Sequence, residues 1–124
     1  MDEILPRLRA LCAALPEISE TSSWGHPNFR AGKKTFATFE YVKGRPSIAL
    51  LLDESGVRSL LRRKEFFATP YGRGKWISLW ADGPLDWKRV ASLLERSYRS
   101  VALKRMITEL ESRGDSSNRV RRRR

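Results

Sequence analysis

Ile4, Leu8, Leu11, Cys12 and Leu15 fall three and four residues apart, the spacing that lines one face of an α-helix. Asp2 and Glu3 precede them, where carboxylates suit the positive end of the helix dipole, and Pro16 follows as a stop. The pattern then changes period. "TFATFEY" (35–41) and "PSIALLL" (46–52) are strand-like runs around "VKGR", in which Gly44 can supply a positive backbone angle, so a β-hairpin is predicted. In the first run Phe36, Thr38 and Glu40 alternate with Thr35, Ala37, Phe39 and Tyr41, which predicts one mixed, wet face. Asp53 has the chemistry of an N-cap for a short helix through Val57, Leu60 and Leu61, ending at the cationic "RRK" of 62–64. "EFFAT" and "WISLW" flank the glycine-bearing "PYGRGK" as a second hairpin. Asp86 caps the longest helical stripe, Trp87, Val90, Ala91, Leu94, Tyr98 and Val101, and Met106, Ile107 and Leu110 continue at helical spacing until Gly114.

Helix, strands, short helix, strands and helices in that order predict an α+β domain, an antiparallel sheet with helices packed on one face and the other face left to solvent or a partner. The two hairpins share composition but no repeat. At 124 residues the chain has room for one domain. No apolar run approaches the eighteen or so residues of a spanning helix, and two acids open the chain where a leader would carry cations, so a cytoplasmic protein without membrane attachment is expected. Cys12 is the only cysteine, which leaves neither an internal disulfide nor a cysteine-based zinc site, and it reads as a small core residue.

Charge changes the picture more than hydropathy does. Twenty-five Lys and Arg against fourteen Asp and Glu give +11, a balance that makes anionic partners plausible. From Arg113 on, "RGDSSNRVRRRR" carries six arginines and one aspartate, +5 of the total, leaving 19 minus 13, or +6, on residues 1–112. The tail has almost no apolar residue with which to offset its ordering entropy, so 1–112 is expected to form the domain and 113–124 a disordered basic arm.

"TSSWGHPNFRAGKKTFATF", "FFATPYGRGKWISLW" and "LLERSYRSVALKRM" occur in the order and at roughly the separations of the MmcQ/YjbR family of small bacterial proteins, which the chain resembles over about residues 4–107. Thr69, Pro70, Tyr71, Gly74 and Trp76 match the family's second stretch, and Ala102, Lys104 and Arg105 its C-terminal helix signature. Leu103 stands where that pattern often has proline, which implies a smoother join between the last two helices, and the arginine-rich tail lies beyond the shared domain. The resemblance implies a CyaY/frataxin-like fold and a DNA-binding role with wing-like hairpins.

Metal binding of the frataxin kind would call for a ridge of carboxylates. Asp2, Glu3 and Glu17 are interspersed with Arg7 and Arg9, so no metal and no cofactor is expected. Ser22, Ser23 and His26 are close in sequence but carry no nucleophile-elbow pattern. "YGRGKW" lacks the third glycine of a dinucleotide site, and Thr69 and Trp76 occupy positions at which a P-loop needs Gly and Ser or Thr. A non-enzymatic protein is therefore expected. His26, between Gly25 and Pro27, is read as ordering a turn or packing beside Trp24, with a ligand pocket as the alternative.

Nucleic-acid binding accounts for more of the sequence. Arg30, Lys33, Lys34, Lys43, Arg45, Arg73 and Lys75 would supply phosphate contacts from loops, joined by Lys104 and Arg105 unless these serve a helix dipole. Trp24, Phe29, Tyr71 and Trp76 are the aromatic candidates to stack on bases or wedge into a groove, whereas Trp80 and Trp87 read as core. The expected partner is nucleic acid, duplex DNA above all, met by a monomer through its phosphate backbone. The alternative is a protein-interaction or small anionic-ligand module built on Trp24, His26 and Trp76. What separates the two is whether the basic loops gather in one place.

Overall fold

The computed structural model describes residues 4–23, 25–70 and 73–122, with side chains as far as Arg113. Six strands, β1 (Ile18–Ser23), β2 (His26–Ala31), β3 (Lys34–Val42), β4 (Arg45–Leu51), β5 (Phe66–Ala68) and β6 (Trp76–Trp80), form one antiparallel sheet in the order β1-β2-β3-β4-β6-β5. Four helices, α1 (Ile4–Ala13), α2 (Glu54–Leu60), α3 (Trp87–Val101) and α4 (Lys104–Arg122), complete an α+β fold. No described helix is long and apolar enough to cross a membrane.

Each helix contributes to one core. Leu8 and Cys12 of α1, Val57 and Leu60 of α2, Val90, Leu94 and Tyr98 of α3 and Met106 of α4 pack against Phe29, Ala37, Phe39, Ile48, Leu50, Ile77 and Leu79 of the sheet. The strand residues in that set follow the period-2 alternation that places every second side chain on one face. Asp53 and Asp86 cap α2 and α3 by accepting from Gly56 N and Arg89 N, as their position before an apolar stripe requires.

The β3–β4 turn is the predicted hairpin. Lys43 and Gly44 both take positive φ, 54° and 78°, the two-residue turn whose twist matches the flanking strands. The preceding stretch adds to expectation: residues 18–31, for which no strand was predicted and in which only a turn around His26 was read, form the β1–β2 hairpin. Between β2 and β3 the register shifts, because Phe29 pairs with Ala37 but Arg30 with Thr35, so Phe36 is the extra residue of a bulge. A bulge breaks strict alternation. Phe36 thereby joins the core side, edge-to-face on Tyr98 at a centroid distance of 5.7 Å, instead of sharing a face with Thr38 and Glu40.

Three further expectations change. Thr38 and Glu40, assigned to a wet face, are buried together with Asn28, Ser47, Ala49 and Ser78 of the same face. The last two helices do not run on smoothly: Ala102 is extended (ψ 147°) and ends α3, and Leu103 O accepts from Met106 N and Ile107 N to start α4. Helical backbone also continues past Gly114 to Arg122. The basic arm expected over 113–124 lies, apart from Arg113, outside the residues with described side chains. Arg113 itself is docked, donating to Ala14 O at 2.8 Å and to Glu109 at 2.8 Å.

Candidate functional site

The antiparallel order sorts the turns between two ends of the sheet. The β2–β3 turn and the β5–β6 connection stand at one end; the β1–β2 and β3–β4 turns stand at the other. Lys33 and Lys34 come from the first of these turns, and Arg73 and Lys75 from the second, so both pairs share one end although some forty residues separate them in sequence. Lys75 is fixed there by its carbonyl, which accepts from Leu52 N at 2.8 Å just past the end of β4. The start of α4 reaches the same end, since the Met106 thioether lies beside Gly32 in the β2–β3 turn. Lys104 thus joins the group. All five cations are exposed, and none has an ion-pair partner among the described residues.

Other candidates lie elsewhere or are already engaged. Lys43 is exposed at the opposite end. Arg45, also at that end, grips Asp82 through two bonds of 2.6 and 3.1 Å and lies 3.8 Å over the Trp80 ring. That grip holds the Asp82 carboxyl below the usual carboxylate range. Arg105 makes the equivalent fork to Glu17, at 3.0 and 2.7 Å. Glu17 in turn accepts Gly32 N through its carbonyl, so the pair ties α4 to the β2–β3 turn. Their charges are spent on the fold.

Among the aromatic candidates, Phe29 is a core residue with 1% of its surface exposed, and it cannot stack on a base. It alternates with Asn28 and Arg30, whose side chains take the opposite face. Trp76 is half-buried at the start of β6. Trp24 and Tyr71 lie outside the described residues. Trp80 and Trp87 are half-buried instead of enclosed: Trp80 stacks on Phe67 at 4.0 Å beneath Arg45, and Trp87 lies under Arg7 at 4.6 Å.

His26 opens β2 and sits across from Ser23, with its Nε2 3.4 Å from Glu40 of β3. Its ring nitrogen Nε2 faces that carboxylate. Among the described residues, no three His, Cys, Asp or Glu side chains gather in a way that would hold a metal ion. Sequence reasoning missed Glu40 as the neighbour of His26, and Asn28 and Thr38 as paired residues of the same face. The signal was present in "HPNFRA", where His26, Asn28 and Arg30 alternate with Pro27, Phe29 and Ala31 at strand period.

Two solved structures share this architecture. A Deinococcus radiodurans protein with a DUF419 domain superposes with a TM-score of 0.70 at 20% identity, over 86% of this chain and 87% of that one. A protein from Pseudomonas syringae gives 0.65 at 20% identity, over 80% and 97%. None of the curated proteins matches the chain. At that identity the likeness shows the fold. The YjbR family model matches residues 13–100, a span that holds all six strands, α2 and most of α3, and the chain belongs to the YjbR family.

Proposed function

We propose that the protein binds nucleic acid, duplex DNA foremost, through the phosphate backbone at the sheet end that carries Lys33, Lys34, Arg73, Lys75 and Lys104. The observation that carries this reading is the convergence on one end of the sheet of five exposed cations from three separate stretches, none with an ion-pair partner among the described residues. Three strand spacings separate the two hairpin turns, roughly 14 Å. A duplex presents about eight phosphate charges along that length. Flexible lysines on turns suit such an array, because they follow a charged groove without demanding a base pattern. Arg45 and Arg105 serve the fold, and the protein acts by binding, without catalysis.

Salt-titrated binding of the full chain to duplex DNA, single-stranded DNA, RNA and heparin tests the reading. Five neutralised phosphates predict a log–log slope of about −4.5 from the domain, steeper with the tail arginines, and affinities within about tenfold across unrelated duplexes. Replacing Lys33, Lys34, Arg73 and Lys75 by Ala should flatten the slope by about 3 to 4 with the fold intact. An unchanged slope in that variant would refute the assignment.

A further inference from the structure

The two edges of the sheet differ. At one, β5 is only three residues long and offers little to pair with. At the other, β1 runs six residues, Ile18–Ser23, paired to β2 throughout with no shift in register. Its four middle residues are exposed. The usual guards of a free edge are missing there: "ISETSS" has no lysine, proline or glycine, and its single charge, Glu20, is held by a two-bond fork from Arg9 at 2.9 and 2.8 Å.

The ladder fixes which backbone groups face outward. Just before Ile18, Glu17 O accepts from Gly32 N, so the bonded pairs with β2 recur at Glu17, Ser19, Thr21 and Ser23. Pro27, which has no N–H to give, stands opposite Ser22 in the intervening set. The N–H and C=O groups of Ile18, Glu20 and Ser22 therefore point away from β2, a row of donors and acceptors that templates one more strand. On the helix side of this edge a cleft of about 540 Å3, lined in part by Leu15, Ile18, Glu20 and Phe29, leaves room for that strand's side chains.

The occupant that fits is β1 of a second copy. Two copies related by a two-fold axis pair antiparallel, with Ile18, Glu20 and Ser22 of one bonding the same set of the other. Only two registers then pair five residues of each strand, one centred on Glu20 and one on Thr21. The first sets two carboxylates face to face, which is unfavourable. The second sets Thr21 against its own counterpart and Ser19 against the partner's Ser23. It also brings Glu20 beside the partner's Ser22, whose hydroxyl can donate to the carboxylate.

We propose that the protein forms a symmetric dimer by antiparallel pairing of β1 with β1 of a second copy, in the register centred on Thr21, so that the two sheets become one. The interface holds none of the cations assigned to DNA, and it stands or falls independently of that reading.

Sedimentation equilibrium of the full chain tests it. The mass should rise from 14.3 kDa towards twice that value as concentration approaches about 1 mM. Added salt should favour the dimer, because it screens the repulsion between two chains of +11, whereas it weakens binding to DNA. Thr21→Lys sets two cations together on the axis, and Ser22→Pro removes an outward N–H without touching the bonds to β2; each should abolish the dimer. Residues opposed outside the bonded pairs have Cα atoms about 4.5 Å apart, within reach of a disulfide. With oxidised glutathione, Thr21→Cys should therefore cross-link two chains at least about tenfold faster than Ser19→Cys, whose two copies lie about 13 Å apart in this register. Cys12 is buried and does not compete. The proposal is overturned if the chain stays monomeric at about 1 mM in high salt, if either Thr21→Lys or Ser22→Pro still dimerises as wild type does, or if Ser19→Cys cross-links as fast as Thr21→Cys.

Discussion

Cys12 shows how one side chain reports on the fold around it. Its thiol sits in the core beneath α1, and burial, helped by the nearby Glu20 carboxylate, pushes its pKa up from about 9 to about 12. Above pH 9 the unfolded chain releases that proton while the folded chain keeps it. The unfolded state then binds fewer protons, so stability must fall as pH rises from about 9 towards about 12. Urea titrations across that range should show the decline, and Cys12→Ala should lessen it relative to wild type. Thiol-labelling reagents at neutral pH should react with Cys12 only at the rate of opening. At this scale sequence reasoning went far: a lone cysteine on an apolar helical stripe was legible as core. Phe29 was not. It stands among polar neighbours in "HPNFRA", and only the sheet register reveals that it faces the core while Asn28 and Arg30 take the sheet's other face.

Elements were legible where their signals are local. Helical stripes and their caps follow from spacings of three and four residues and one aspartate, and Lys43-Gly44 announces its own turn. The β1–β2 hairpin was missed because Pro27, three serines and a threonine weaken the strand signal, and what holds it is pairing to β3, a tertiary effect. The bulge at Phe36 was equally hidden, since the sequence alternates straight through it. That bulge is held by a residue sixty-one positions away. Ser97 of α3 donates to Phe36 O at 2.6 Å and accepts from Leu51 N at 3.1 Å, binding the helix to two strands. Ser97→Ala would strand a buried carbonyl and an amide together and should cost about 2 kcal/mol or more. Chemical denaturation should show this as a lower midpoint at unchanged m-value. A loss below about half a kcal/mol would mean that the bulge holds its shape without α3.

For the whole molecule, charge total and charge placement make different predictions. Residues 1–112 carry +6 and the following twelve +5. Changing Arg119 and Arg121 to Arg124 to Gln should weaken DNA binding mostly at low salt and leave thermal unfolding unchanged, because these arginines add screened contacts beyond the docked Arg113. A large fall in melting temperature would instead make the end of α4 part of the fold. The total was readable from composition. The placement was not, because nothing in the sequence says that "GKK" and "GRGK" end up at the same end of a sheet while "KGR" faces the other way.

The most direct measurement therefore compares two double charge reversals of equal net charge by duplex-DNA affinity at low salt. Lys33→Glu with Lys75→Glu alters the end proposed to bind; Lys43→Glu with Lys88→Glu alters exposed lysines at the opposite end of the sheet and at the first turn of α3. The first pair should cut affinity by at least about tenfold and lower the salt slope by about 2, whereas the second should leave the slope near wild type. Equal losses from the two pairs would contradict the account, because binding would then follow the protein's total charge and not the end of the sheet where its basic turns meet.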